Sequence, residues 1–108
     1  MTPRELFLEE LPKRLEQKGD SIAKVNAVYQ FQITGDDGGS FWIDTTVSGG
    51  AAGEGEDPRA VCTITTSSKN FLDLVSGKLN GAAGFMTGKI KVDGNTMLAM
   101  ELGNILGL

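Results

Sequence analysis

Apolar residues in the first stretch of the chain recur at helical spacing: Leu8, Leu11 and Leu15 fall three or four apart, which stacks them on one face of a helix. Thr2 with Glu5 three positions on has the form of a capping box, and Pro3 suits the first helical position. Pro12 removes a backbone donor inside this pattern, so a kink or break is predicted near Leu11. Gly19 is the predicted stop, with a short turn of helix from Ser21 to follow. The period then changes to two. Ala27, Tyr29, Phe31 and Ile33 alternate with Val28, Gln30, Gln32 and Thr34, the mark of a half-buried strand. GDDGG at 35–39 is a hairpin loop and SFWIDTTVS at 40–48 the return strand.

The glycine-rich acidic stretch 49–58 has room for one more short strand, and RAVCTITTS at 59–67, rich in β-branched residues, predicts a central strand. From Ser68, a serine cap, Phe71, Leu74, Val75 and Leu79 return to helical spacing, with Gly77 interrupting near the end. Asn80 is placed to cap a second short helix, GAAGFMT, closed by Gly88. KIKVD at 89–93 is a strand with Ile90 and Val92 on one side and Lys89, Lys91 and Asp93 on the other. The final helix begins at Asn95 and is apolar on two sides. At 100° per residue, Leu98, Ala99, Leu102, Ile105 and Leu106 share one arc, while Met97, Met100 and Leu108 lie on the far side among Glu101 and Asn104. A sheet supplies one apolar partner; the second is a partner chain, a lipid or another helix. Two exposed methionines near a helix end is the plainer alternative.

Composition adds bounds. The 108 residues suit a single domain, 1–108, and the 15 glycines suit many tight turns. The net charge of −4 is concentrated locally: residues 35–59 carry six acids against Arg59. No basic patch with interleaved aromatics points to nucleic acid. Cys62 is the only cysteine, a small strand hydrophobe by position, and precludes an intrachain disulfide. The opening MTPRELFLEELPKRLEQKG has no apolar core of signal-peptide length, and no run approaches the roughly 18 residues that cross a bilayer. A cytoplasmic setting is the expectation.

Candidate chemistry is sparse. With no histidine, neither a Ser-His-Asp nor a Cys-His arrangement can be built, and metal sites of the His or multi-Cys type are excluded. Asp36 and Asp37 fall in a turn, and Glu54, Glu56 and Asp57 in a loop without calcium-loop spacing, so turn and solubility roles are expected for them. GFMTGKIKVDGN at 84–95 superficially suggests a phosphate loop. G-x-x-x-x-G-K-[ST] would need glycine at Ala83 and a hydroxyl at Ile90, on a turn running from strand into helix; here the order is reversed. Lys89 and Lys91 read as the solvated face of a strand, with an anionic head group or membrane surface as the alternative. No enzyme activity, cofactor or metal is expected.

KVNAVYQFQIT, FWIDTTVSGG, AVCTITTSSKNFLDLVSGKLN, GFMTGKIKVDGN and MLAMELGNIL, in this order and spacing, resemble the sterol carrier protein 2 family over about residues 5–106. KVNAVYQFQIT is similar to the carrier-like domain of peroxisomal multifunctional enzymes. The resemblance implies an α+β fold: a five-stranded mixed sheet with helices covering one face and a hydrophobic tunnel between. It implies binding or transfer of sterols, phospholipids, fatty acids or fatty acyl-CoA. The tunnel would draw on Trp42 from the second strand, Phe71, Leu74 and Val75 from the middle helix, Phe85 and Met86, and Met97, Met100 and Leu102 from the final helix. Two features depart from the family: the chain ends in Gly107-Leu108, not in the peroxisomal S-K-L signal, and the acidic loop 53–57 has no evident counterpart. Two other readings stay open. One is an accessory module presenting acyl-CoA to a partner enzyme in cis or in trans; the other is an oligomer interface without ligand. A monomer or weak dimer with transient membrane contact is the expectation for the lipid-binding reading.

Overall fold

Thr2 begins the first helical segment as its spacing predicts, its hydroxyl accepting the Glu5 amide at 3.2 Å. The computed structural model, which describes residues 2–106 with the side chains of 104–106 excepted, then continues through Pro12 without breaking. Helix α1 (Pro3–Glu5) passes into a wide π-helical turn at Leu6–Glu10 and on into α2 (Leu11–Gln17). Leu11 donates to the Leu6 carbonyl, five residues back. A turn widened by one residue relieves the crowding that a proline ring imposes on the carbonyl four positions before it, so the predicted kink is absorbed instead. The wider turn also rotates the buried stripe. Leu6, Phe7, Leu11 and Leu15 face the core, and Leu8, expected in that stripe, is 42% exposed. Gly19 opens helix α3 (Gly19–Val25) where a stop was expected, and Asn26, with φ of 48°, ends it in the left-handed conformation that asparagine tolerates.

Five strands follow the alternating runs: β1 (Val28–Thr34), β2 (Gly39–Asp44), β3 (Ala51–Glu54), β4 (Cys62–Ser67) and β5 (Ile90–Gly94). They form one mixed sheet in the order β3-β2-β1-β4-β5, with β1 and β4 parallel and the other pairs antiparallel. The middle strand is therefore β1, whereas the 59–67 run supplies β4. Two predicted strands are shorter than expected. Past Asp44, the Thr45 hydroxyl and amide turn back onto the Ala27 carbonyl at 2.8 and 2.9 Å, and before Cys62 the Ala60 amide closes a turn on Asp57 at 3.1 Å.

Helices α4 (Ser68–Val75), α5 (Gly81–Met86) and α6 (Thr96–Leu106) complete the chain. Tyr29, Phe31, Ile33, Phe41, Ile43 and Ile64 on the sheet form one core with the apolar residues of the N-terminal helices, Phe71 and Leu102. At its centre Phe7 stacks on Phe41 at 4.5 Å and on Phe71 at 5.0 Å between ring centroids. The predicted α+β architecture, a five-stranded mixed sheet with helices on one face, is the one observed. No helix among the described residues is long and apolar enough to cross a membrane. The side-chain placements expected for Asn104, Ile105, Leu106 and Leu108 lie outside the described residues.

The strand order also explains a correction to β1. Because β3 and β4 lie on opposite sides of the β1–β2 pair, the 55–61 connection must cross that pair, and the helices occupy the other face. Val28 and Gln30 are consequently buried too, where alternation predicted a solvated side.

Candidate functional site

Three helix starts position the elements that surround the site. Ser67, one residue before the predicted cap, accepts the Asn70 amide at 3.1 Å and begins α4. Asn80 Oδ1 accepts the amides of Ala82 and Ala83 at 2.9 and 3.2 Å and begins α5 as predicted. Asn95 Oδ1 accepts the Leu98 amide at 3.1 Å at the start of α6. Helix α5 then lies close on β5 because residue 84 is glycine: a Cβ there would stand 2.6 Å from Ile90 Cδ1. Helix α6 is fastened at its first turn, where the Tyr29 hydroxyl donates to the Leu98 carbonyl at 2.9 Å. Burial, with Cys62 and Glu101 adding to it, pushes the Tyr29 phenol above its ordinary pKa, so it stays protonated and able to donate.

Between these helices and the sheet lies a cavity of about 260 Å³. Phe31, Ile64, Ile90 and Val92 supply the sheet wall, Phe71 and Leu74 come from α4, Phe85 from α5, and Ala99, Met100 and Leu102 from α6. Asn80, Gly81, Ala82 and Gly103 complete it. Among the described residues, Asn80 is thus the one polar side chain of the lining, and no lining side chain ionises. Such a wall has neither nucleophile nor acid nor base to offer a bound molecule. It stabilises apolar groups by removing them from water, without directional demands on their shape. Cys62 lies outside this lining, and burial pushes its thiol up to about 11, which keeps it protonated.

Of the residues expected to line a tunnel, Phe71, Leu74, Phe85, Met100 and Leu102 meet on this wall, and the other four stand elsewhere. Val75 packs half-buried against the edge of the core. Met86 and Met97 are 85% and 75% exposed. Trp42 lies on the opposite face of the sheet: it pairs with Gln30 and Gly53, while its neighbours Phe41 and Ile43 point to the helices. Its ring covers Gly53, where a Cβ would come within 2.5 Å of it. Met97 and Met100, expected on one side of α6, separate because three residues turn a helix through about 300°, leaving them some 60° apart across the boundary between solvent and cavity. The sheet wall was missed in the expected set, although the alternation that points Ile90 and Val92 to one side was its signal.

The acidic stretch also has a structural role beyond solubility. Gln30 donates to the carbonyls of Phe41 and Gly55 at 2.9 and 3.0 Å and accepts the Asp57 amide at 2.9 Å, holding the crossing loop. Arg59 bridges Asp57 at 2.7 Å and buried Asp44 at 3.0 Å, and Glu54 meets Arg4 at 3.4 Å. Burial raises the pKa of Asp44, but hydrogen bonds from the Thr46 hydroxyl and amide, and from Arg59 with its charge, outweigh it and hold the carboxyl below its usual range. Hydrogen bonds from Arg59 likewise lower the pKa of Asp57.

The model of the SCP-2 sterol transfer family matches residues 8–107. This chain belongs to that family. Within it, the chain is 37% identical over 86 residues to hydroxysteroid dehydrogenase-like protein 2 of Rattus norvegicus, a match covering 79% of this chain and 16% of that protein. It is 35% identical over 104 residues to sterol carrier protein 2 of Homo sapiens, covering 93% of this chain and 19% of that protein. The chain therefore spans about a fifth or less of the curated relatives it matches. The solved structure of sterol carrier protein 2 from Yarrowia lipolytica, in its apo form, superposes with a TM-score of 0.72 at 35% identity, covering 95% of this chain and 82% of that one. The family resemblance read from the five segments is thereby established, and the SCP-2 fold accounts for the sheet order.

Proposed function

We propose that this SCP-2 domain holds the apolar part of a lipid in the cavity beneath α5 and α6 and carries or presents it without chemical change. The observation that carries the reading is the wall itself: among the described residues, eleven apolar side chains, one amide and no ionisable group around about 260 Å³. Sterols, phospholipids, fatty acids and fatty acyl-CoA all supply such a part. A water occupies roughly 30 Å³ and a methylene about as much, so a space of this size takes on the order of eight to ten methylenes. Burial at about 0.8 kcal/mol each makes this roughly 7 kcal/mol gross, before the costs of association and chain ordering. About half of a sixteen-carbon chain is then enclosed; the remainder leaves past the exposed lining residues Asn80, Ala82 and Phe85. Breadth of ligand follows, because burial of area discriminates poorly between tails.

A second reading is favoured by the coverage of hydroxysteroid dehydrogenase-like protein 2, in which the matched segment is 16% of the whole. In that setting the domain serves as an accessory module that presents a lipid to an enzyme in cis or in trans. Both readings require the cavity to bind. A ligand that binds only the folded state raises stability by RT ln(1 + [L]/Kd), about 2.7 kcal/mol at a hundredfold excess over Kd. Thermal melting of delipidated protein should shift upward with a long-chain fatty acid or its CoA ester, and native mass spectrometry should show one ligand per chain. An unchanged melt at saturating ligand defeats both readings.

A further inference from the structure

The one amide on the cavity wall is only half engaged. Asn80 Oδ1 accepts the amides of both Ala82 and Ala83, at 2.9 and 3.2 Å. Two donors converging on one atom identify it as the oxygen, and turning the group over would set N–H against N–H, so the cap fixes which half of the amide is which. The other half, Nδ2, carries two N–H donors and has no acceptor among the described residues. Asn80 is exposed and borders the cavity, as do Ala82 and Phe85 beside it. The apolar wall holds a tail without regard to its direction. Asn80 is therefore the lining side chain, among those described, that makes a directional demand on a bound molecule.

We infer that Asn80 Nδ2 donates to the carbonyl oxygen of a bound acyl group, and that the ligand matched to this cavity is a linear acyl chain of about eight to ten carbons with a carboxylate, ester or thioester head. The inference rests on the proposed lipid-holding role and adds a head group and a length to it. The space takes on the order of eight to ten methylenes, so a chain of that length fills it with its carbonyl at the exposed border where Asn80 stands. A sixteen-carbon chain filling the same space carries its head roughly six carbons farther out and brings methylenes to Asn80 instead. A head with no acceptor, such as a quaternary ammonium, gains nothing from Nδ2 at any length. Because the cap already holds the amide in place, the contact requires little further ordering of the protein.

Asn80→Asp tests the contact, since aspartate caps a helix as well as asparagine does but has no N–H to donate. Displacement of a fluorescent fatty acid from delipidated wild type and variant reads the affinities of methyl decanoate, methyl palmitate and decyltrimethylammonium. The esters are uncharged, so repulsion between carboxylates plays no part in their binding. Methyl decanoate should bind the variant about fivefold more weakly, the worth of one neutral hydrogen bond. Methyl palmitate and decyltrimethylammonium should not weaken, and the melt of the ligand-free variant should match the wild type. Equal affinity of the two proteins for methyl decanoate overturns the Asn80 contact; an equal fall for all three ligands assigns the effect to α5 and overturns it too. In the wild type alone, affinity for methyl esters should climb about fourfold per methylene up to roughly ten carbons and then level off, and a climb that continues to methyl palmitate overturns the length match. Those results leave the lipid-holding role standing, whereas a wild type that binds none of the three ligands defeats that role and this inference with it.

Discussion

Met100→Glu separates a cavity wall from a packed core and from a bare surface. Met100 is half-buried and borders a space of about 260 Å³, room for on the order of eight waters. A carboxylate there can be hydrated while the cavity is free of ligand, so the unliganded protein should lose less than about 1 kcal/mol, as for substitutions outside close-packed positions. With an acyl tail in place the water is displaced, and the carboxylate must lose its hydration, take up a proton or exclude the tail. An imperfectly compensated buried polar group costs about 1–3 kcal/mol in proteins, and an ionised one costs more. Fatty-acid affinity should therefore fall about tenfold to a hundredfold or beyond. Met97→Glu, three residues away but 75% exposed, should move neither quantity. Urea melts and titration with a fluorescent fatty acid on the three proteins read both effects. Unchanged affinity in Met100→Glu removes Met100 from the site. A loss of several kcal/mol without ligand would show that the side chain is packed in the core, as expected for an unpaired charge buried there.

Two further outcomes concern the far side of the sheet. Gln30→Leu leaves the carbonyls of Phe41 and Gly55 and the amide of Asp57 without their side-chain partner. It should cost about 1–3 kcal/mol in urea melts and leave fatty-acid affinity as it was; an unchanged midpoint refutes the role assigned to Gln30. Asp44 and Asp57 have folded pKa values below their unfolded ones, so the stability they contribute is complete above the unfolded carboxylate value of about 3.9 and is lost as pH falls through the folded values. Urea midpoints of the wild type should drop as pH is lowered below about 4, and Arg59→Ala should flatten that part of the profile. A variant that keeps the wild-type slope would show that other carboxylates govern it.

Local spacing was sufficient wherever the deciding contact is a near neighbour in sequence. Thr2 and Asn80 cap helices through amides two or three residues on, and alternation assigned Tyr29, Phe31 and Ile33 to one face of β1. The stripe of Leu98, Ala99 and Leu102 followed from the helical period. Which apolar residues surround the cavity was decided at longer range. Trp42 and Phe41 are adjacent strand residues of similar character, and only the arrival of helices on one face and of the 55–61 connection on the other tells them apart. The resemblance named the right family and still placed Trp42, Val75, Met86 and Met97 on the wall, because a family pattern records residue types and not the few tens of degrees that separate Met97 from Met100. Gln30 looked like a solvated strand position until the strand order carried Gly55 and Asp57 across it. Periodicity specifies the direction of a side chain relative to its own element; what it meets there depends on chain that returns from far away in sequence, and in this protein the strand order determines that return.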